Sequence, residues 1–140
     1  MRILIIALFL IIGASLSFSP NVQGQARTVF SGIPSVKISE SGTERLAEAI
    51  NQDQAVKLGT VISEIGGKYY WATRGHEEMI RLVSGAFVTY IAVNGSGYVR
   101  AIDPATKAAA SLMSPTEAKF DYVEHLLLGL RSVTYYGTAQ

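Results

Sequence analysis

The stretch from Ala86 to Ile102 is AFVTYIAVNGSGYVRAI, and it is the clearest structural signal in the chain. Two runs rich in β-branched and aromatic residues, 86–93 and 98–102, flank the turn-forming residues Asn94-Gly-Ser-Gly97. This order predicts a β-hairpin. Both faces of its first strand are largely apolar. We therefore expect that strand to be central in a small antiparallel sheet and covered on both sides, with helices packed on at least one face.

Other strands are predicted on both sides of this hairpin. Gly66-Gly67 can supply the positive φ angles of a two-residue turn, and the run 68–74 (KYYWATR) follows it, which predicts a second hairpin. Residues 130–136 are predicted to form a final strand, and 122–128 either a helix or a buried strand. Short strands before residue 40 are confined to a sheet edge or a turn by Pro34.

Short helices complete the predicted fold. Ser41-Gly-Thr-Glu44 has the pattern of a capping box, and the apolar residues after it recur at helical spacing up to Ile50. The segment 75–85 has a short helical face, and Ser114-Pro-Thr-Glu117 has the pattern of a further helix start. The chain is therefore predicted to be an α+β domain, with a small antiparallel sheet of two hairpins and a C-terminal strand and with two or three short helices.

The first 26 residues have the layout of a secretory signal peptide. Met1-Arg2 is a short positive end, Ile3 to Phe18 is apolar or small, and Gly24-Gln25-Ala26 places small residues at a cleavage site. Cleavage is expected after Ala26 or, alternatively, after Gly24. An uncleaved membrane anchor is the rival interpretation, but sixteen residues are fewer than the roughly 20 that span a bilayer. We expect a single domain from 27 to 140, secreted or periplasmic.

Composition narrows the classes of function. The chain has no cysteine, so disulfides, thiol nucleophiles and Cys-ligated zinc are excluded. Without Arg2, the chain has eleven Lys and Arg residues and eleven Asp and Glu residues, so its formal net charge is zero, and the two signs are interspersed along the sequence. No basic stripe is present to neutralise phosphates, so we expect no nucleic-acid partner. A membrane contact is expected only through an uncleaved N-terminal segment, if at all.

Two histidines are the main candidates for catalysis. His76 precedes Glu77-Glu78, and His125 follows Glu124. Either pair could act as general acid and base in an envelope hydrolase, provided that it lies in a cleft which displaces its pKa values. Neighbouring residues diverge in direction on a helix and on a strand, so neither pair chelates a metal by itself. We expect no metal and no cofactor.

Aromatic residues favour a different function. All seven tyrosines and the single tryptophan lie between residues 69 and 136. On the predicted strand, Tyr69 and Trp71 share one face, and such rings can stack on a sugar or dock an apolar partner. Arg74 and Arg100 lie at or near the edges of aromatic strands and are candidate polar anchors. These four residues are the predicted ligand-binding residues.

The sequence therefore predicts an exported, non-enzymatic binding or interaction module that uses an aromatic sheet face. Its ligand would be an unknown protein, a small molecule or a carbohydrate. Two alternatives stay open. One is the hydrolase with a Glu/His pair, and the other is a structural envelope protein that works by self-association.

Overall fold

A computed structural model describes residues 24–103 and 120–140, and strands dominate both ranges. The elements are β1 (Arg27–Ser41), β2 (Glu44–Ala49), α1 (Gln52–Lys57), β3 (Thr60–Ile65), β4 (Lys68–Trp71), β5 (Glu77–Ser84), β6 (Phe87–Ala92), β7 (Gly97–Ile102), β8 (Tyr122–Leu128) and β9 (Arg131–Ala139). The predicted helix start at Ser114-Pro-Thr-Glu117 and most of the predicted signal peptide lie outside the described residues.

Eight of the strands form a closed antiparallel barrel. Its order is β1-β3-β4-β5-β6-β7-β8-β9, and β9 pairs with β1 to complete the ring. Strand β2 lies outside the ring and pairs with β1. The α+β prediction is therefore wrong, because the strands close on themselves and need no helical layer to cover a sheet face. The one helix among the described residues, α1, is six residues long.

Strand β1 is fifteen residues long and changes neighbour along its length. Residues 27–32 pair with β3, and residues 36–41 pair with β2 on the same edge. On the other edge, residues 32–41 pair with β9. Pro34, which has no N–H to donate, is buried between the two pairings, beside an irregularity in the register with β9. The expectation of short edge strands here is wrong, since one long strand closes the barrel.

The first predicted helix is a β-hairpin. Residues 42–43 form the turn between β1 and β2, and Ser41 pairs with Glu44 instead of capping a helix. The predicted helix runs up to Ile50, whereas the helix in the structure, α1, begins after that residue, at Gln52. Asn51 caps α1 by accepting from the N–H of Gln54, 2.9 Å away, and the Gln54 side chain accepts from the N–H of Asn51. Residues 44–49 are too few to form a stable helix on their own. The edge of β1 offers them backbone hydrogen bonds, so they form a strand instead.

Segment 75–85 also differs from its prediction. Residues 77–84 form β5, which pairs with β4 on one side and with β6 on the other. The two hairpins predicted from turn residues are confirmed, at Gly66-Gly67 and at Asn94-Gly-Ser-Gly97. Gly66 and Gly67 have φ values of 58° and 81°, as a two-residue hairpin turn requires. Residues 122–128 are a strand, which decides between the two alternatives.

The barrel interior is the hydrophobic core. Alternate residues of each strand point inward, and the buried set includes Phe30, Ile62, Trp71, Met79, Val88, Tyr90, Val99 and Tyr122. The outward side chains of β5, β6 and β7 form a partly apolar row in which Ile80 lies opposite Ile91 and Ile91 opposite Tyr98. The described residues leave this row exposed. Within residues 24–103 and 120–140, β6 is covered on its inward face alone, in contrast to the prediction of a strand covered on both sides.

Closure of the barrel leaves no room for a side chain at Gly137. A Cβ added there would lie 2.0 Å from the carbonyl oxygen of Ile33 on β1. We expect Gly137→Ala to force β9 away from β1 and to lower the free energy of unfolding by at least about 2 kcal/mol. Urea denaturation measures this loss. Thr138→Ala, at the exposed neighbour, is the control, and equal stability of the two variants would contradict the close approach.

Candidate functional site

The structure separates the four predicted ligand-binding residues. Tyr69 and Trp71 share a face of β4 as expected, but that face points into the barrel, and Trp71 is 0% exposed. Arg74 follows β4 and reaches the barrel interior from one end. Arg100 lies on the outer wall, with its guanidinium 4.4 Å from the centre of the Phe87 ring. A partner outside the barrel therefore cannot touch Trp71, and Tyr69 is reached only through an open end.

One end of the barrel contains a cavity of about 600 Å³, which we call the mouth pocket. It lies where β1 begins and where β5 and β7 end. Its wall is aromatic and aliphatic, and charged groups surround the opening. The apolar lining comes from Phe30, Tyr69, Val88 and Tyr90, and the charged lining from Arg27, Arg81 and Asp103.

Tyr69 and Tyr90 form the aromatic wall of the mouth pocket. Their ring centres are 5.6 Å apart, with the planes tilted by 59°. Burial raises the pKa of the Tyr90 phenol, while Arg81 opposes that rise through a hydrogen bond and its positive charge. The Tyr90 hydroxyl is therefore protonated near neutral pH, and together with Arg81 it presents hydrogen-bond donors beside an apolar surface.

The rim of the mouth pocket is held by an ion pair between Arg27 and Glu64. Glu64 points inward from β3, opposite Arg27 at the start of β1. Arg27 is largely exposed, so the contact positions the rim more than it stabilises the fold. The hydrogen bond to Glu64 and, after it, the negative charge of that carboxylate raise the pKa of Arg27, which stays charged.

The opposite end of the barrel holds a buried polar cluster around Glu124. This side chain is 0% exposed. Thr60 donates a hydrogen bond to its Oε2, and Arg74 contributes Nη2 at 3.1 Å from Oε2 and Nε at 2.9 Å from Oε1. Arg74 Nη2 also donates to the carbonyl oxygen of Leu58, 3.0 Å away. The cluster ties the loop after β4 and the start of β3 to β8.

Burial is the dominant influence on the acidity of this cluster. It raises the pKa of the Glu124 carboxyl, and the positive charge of Arg74 and the hydrogen bond from Thr60 oppose the rise. Burial and the charge of Glu124 also raise the pKa of Tyr122. The Tyr122 hydroxyl is buried beside Thr60, and the indole N–H of Trp71 is buried beside the Glu124 carboxyl. The cluster is thus a desolvated ion pair within an aromatic surround.

The predicted acid–base pairs are not assembled as catalytic pairs. Glu124 points inward, whereas His125 points outward, where Nδ1 lies 2.8 Å from Thr134 Oγ1. Neighbouring residues on a strand face opposite sides, and here the barrel wall separates them. On the outer surface, His76 stacks on Tyr70 with ring centres 4.8 Å apart. Of the two acidic residues that follow it, Glu78 contacts Lys68 at 3.3 Å, and Glu77 lies opposite Trp71 on the other face of β5.

Sequence reasoning did not assign Arg81 or Tyr90 to the predicted binding site, although both line the mouth pocket. The helical prediction for segment 75–85 concealed the direction of the Arg81 side chain. With strand alternation, Arg81 falls on the inward face with Met79. A charged residue on an inward face that is otherwise apolar is the signal that could have identified it. The same signal applies to Glu124, which follows Tyr122 on the inward face of β8.

No family model, curated protein or solved structure matches the chain. In the part of the chain that the structure describes, no helix has the length and apolar character needed to cross a bilayer. Within residues 24–103 and 120–140, no three His, Cys, Asp or Glu side chains are grouped so that they could hold a metal ion.

Arg74→Met is expected to leave the Glu124 carboxylate buried without its counter-ion. Removing one partner of a buried pair costs about 3 kcal/mol of unfolding free energy. Urea denaturation should show this loss, and the double variant Arg74→Met, Glu124→Leu should recover most of it because no buried charge remains. Arg100→Met, which removes an exposed cation, is the control. A cost equal to that of the control would show that the ion pair contributes nothing.

Glu124 should also give stability a specific pH dependence. The folded state holds its proton more tightly than the unfolded chain, in which the ordinary value of 4.5 applies. Its contribution is therefore complete below that value and is lost as the pH rises through the raised folded pKa. We expect the stability of the wild type relative to Glu124→Gln to fall as the pH rises above 4.5, where the unfolded chain has lost this proton. Parallel pH profiles from chemical denaturation would contradict this.

Proposed function

We propose that the protein is a non-enzymatic binding module that takes a small amphipathic molecule into the mouth pocket. The observation that carries the proposal is the combination of lining groups at the end of a closed barrel. Tyr69, Tyr90, Phe30 and Val88 offer an apolar wall, and Arg81 is placed beside the Tyr90 hydroxyl. Small-molecule sites typically combine an apolar surface with a few polar groups that orient the ligand.

The dimensions support the same proposal. A volume of about 600 Å³ lies within the range of small-molecule sites, roughly 300–1,000 Å³. An eight-stranded barrel has an interior that either fills with side chains or holds one small ligand. Here Ile62, Trp71 and Val99 fill the middle of the barrel, so the space remains at its mouth. A flat ligand with one hydrogen-bonding end would match this volume and lining.

The ligand class follows from the two kinds of wall. Tyr69 and Tyr90 present rings that can contact a sugar or an aromatic body. Arg81 and the phenol of Tyr90 are donors, so they favour a ligand end that accepts hydrogen bonds, such as a carboxylate, a sulfonate or a hydroxyl-bearing ring. The signal peptide predicted for residues 1–26 would place this binding outside the cytoplasm, which stays part of the proposal.

The hydrolase alternative has less support. General acid–base catalysis needs an acid and a base that both lie within hydrogen-bonding distance of the reacting atoms of one bound substrate. Glu124 and His125 lie on opposite sides of the barrel wall. His76 and Glu78 lie on the outer surface, and Glu77 falls on the other face of β5, opposite Trp71. We therefore favour binding over catalysis.

Binding of 8-anilinonaphthalene-1-sulfonate, an aromatic anion that fluoresces in apolar sites, tests the proposal. We expect saturable binding by the purified protein, weakened about tenfold in Arg81→Gln because a charge-assisted hydrogen bond is lost. Tyr69→Ala should weaken it further by removing part of the wall. The matched control is Arg100→Gln, which removes a cation from the outer surface.

The outcome of the controls decides between the pocket and the outer wall. If Arg100→Gln weakens the fluorescence change as much as Arg81→Gln does, the probe binds outside the barrel and the mouth pocket is not the site. Circular dichroism and thermal melting of each variant exclude a loss that results from unfolding. Non-saturable fluorescence in the wild type would also overturn the proposal.

A further inference from the structure

Strand β2 has an unpaired outer edge in the sheet formed by the described residues. It is the terminal strand in the order of the sheet, and all six of its residues are exposed. It lies at the end of the barrel opposite the mouth pocket, and so forms a surface independent of the proposed function. Unpaired edges are templates for another strand.

The backbone register shows which groups of β2 are available. The N–H of Ile50 donates to the carbonyl oxygen of Ser35 on β1, at 2.9 Å. In an antiparallel pair, every second residue exchanges hydrogen bonds with its neighbour. The residues of β2 that bond to β1 are therefore 44, 46 and 48. The N–H and C=O groups of Arg45, Ala47 and Ala49 point outward from the free edge.

The side chains of β2 define what would fit beside it. Glu44, Leu46 and Glu48 share one face, since they alternate along the strand. On that face, a cavity of about 410 Å³ lies between the β1–β2 hairpin and the β8–β9 hairpin, with Leu46, Leu128 and Val133 in its wall. A strand added to this edge would thus meet an acidic, an apolar and again an acidic side chain.

Pairing of β2 with a second copy of itself is disfavoured by charge. A two-fold axis through an antiparallel pair places a residue opposite its own copy. Centred on Leu46, such a pair puts Glu44 opposite Glu48 twice, and centred on Arg45 it puts two arginines opposite each other. Centred on Ala47, it places Leu46 opposite Glu48. Like charges directly opposite are destabilising, so the sequence of β2 protects the edge against its own copy.

We propose that the β2 edge binds an extended peptide as an added antiparallel strand, with the pattern basic–x–apolar–x–basic. Opposite charges across a strand pair are favourable, so basic residues fit opposite Glu44 and Glu48 and an apolar residue fits opposite Leu46. Glu48 already contacts Lys37 at 3.3 Å, but this pair is exposed and weak, which leaves its carboxylate open to a second cation. The outward backbone groups of β2 supply the affinity.

The probe is the labelled peptide acetyl-TKTVTKT-amide, and TETVTET is its acidic counterpart. We expect the basic peptide to bind the purified protein with a Kd below about 1 mM in fluorescence anisotropy, and the acidic peptide to bind at least about tenfold more weakly. Absence of saturable binding of TKTVTKT by the folded protein would overturn the proposal, and equal binding of the two peptides would overturn its charge pattern.

Ala47→Pro tests the edge without touching the β1–β2 hydrogen bonds. Proline removes the outward N–H of residue 47 and is tolerated at a free edge. We expect at least about tenfold weaker peptide binding, whereas Ala47→Val, which keeps the N–H, should bind like the wild type. Equal binding by the two variants would show that the peptide sits elsewhere. Melting curves confirm that both are folded.

A charge swap tests the register. Antiparallel pairing places the second lysine of the peptide opposite Glu44, so Glu44→Lys should bind TKTVTET better than TKTVTKT, which reverses the wild-type preference. An unchanged preference would contradict the register. Sedimentation velocity tests whether a second copy of the chain, instead of a peptide, occupies the β2 edge. A dimer that Ala47→Pro dissociates would assign the edge to a second copy and overturn the peptide proposal.

Discussion

Strand β1 is paired along both of its edges, and the rest of the structure depends on that constraint. Closure against β9 converts a row of strands into a barrel and leaves β2 as the terminal strand of the described sheet. It requires backbone contact near Gly137, where β9 meets Ile33 too closely for a side chain. Because β1 is longer than its partner β3, the excess length pairs with β2 and projects an edge beyond the ring.

A closed barrel sorts side chains into two environments by their parity in the strand. Polar residues that fall on the inward side must then be paired or lie near an opening. Glu124 meets the first condition through Arg74 and Thr60 at one end. Arg81 meets the second at the other end, beside Tyr90. The interior therefore consists of a sealed polar cluster, an apolar middle and an open pocket, and only the last can receive a ligand.

The candidate site was only partly visible in the sequence. Tyr69 was identified from the density of aromatic residues, and it does line the mouth pocket. Trp71 is also aromatic and also points inward from β4, but it lies two residues further from the mouth pocket, where the barrel is sealed. Depth along a strand depends on where the barrel ends, and that is set by the pairing of distant strands. Local pattern cannot distinguish the two residues for this reason.

The sequence by itself determined the hairpin turns, because their chemistry is local. Gly66-Gly67 and the Asn94 turn adopt backbone angles that few other residues allow, whatever surrounds them. Tertiary structure decided which segments pair with one another. Segments 44–49 and 77–84 have apolar residues compatible with a helix, yet each is too short to be stable alone, and neighbouring strands offered them hydrogen bonds. The closure of β1 on β9, which joins residues about a hundred positions apart, left no signal in either segment.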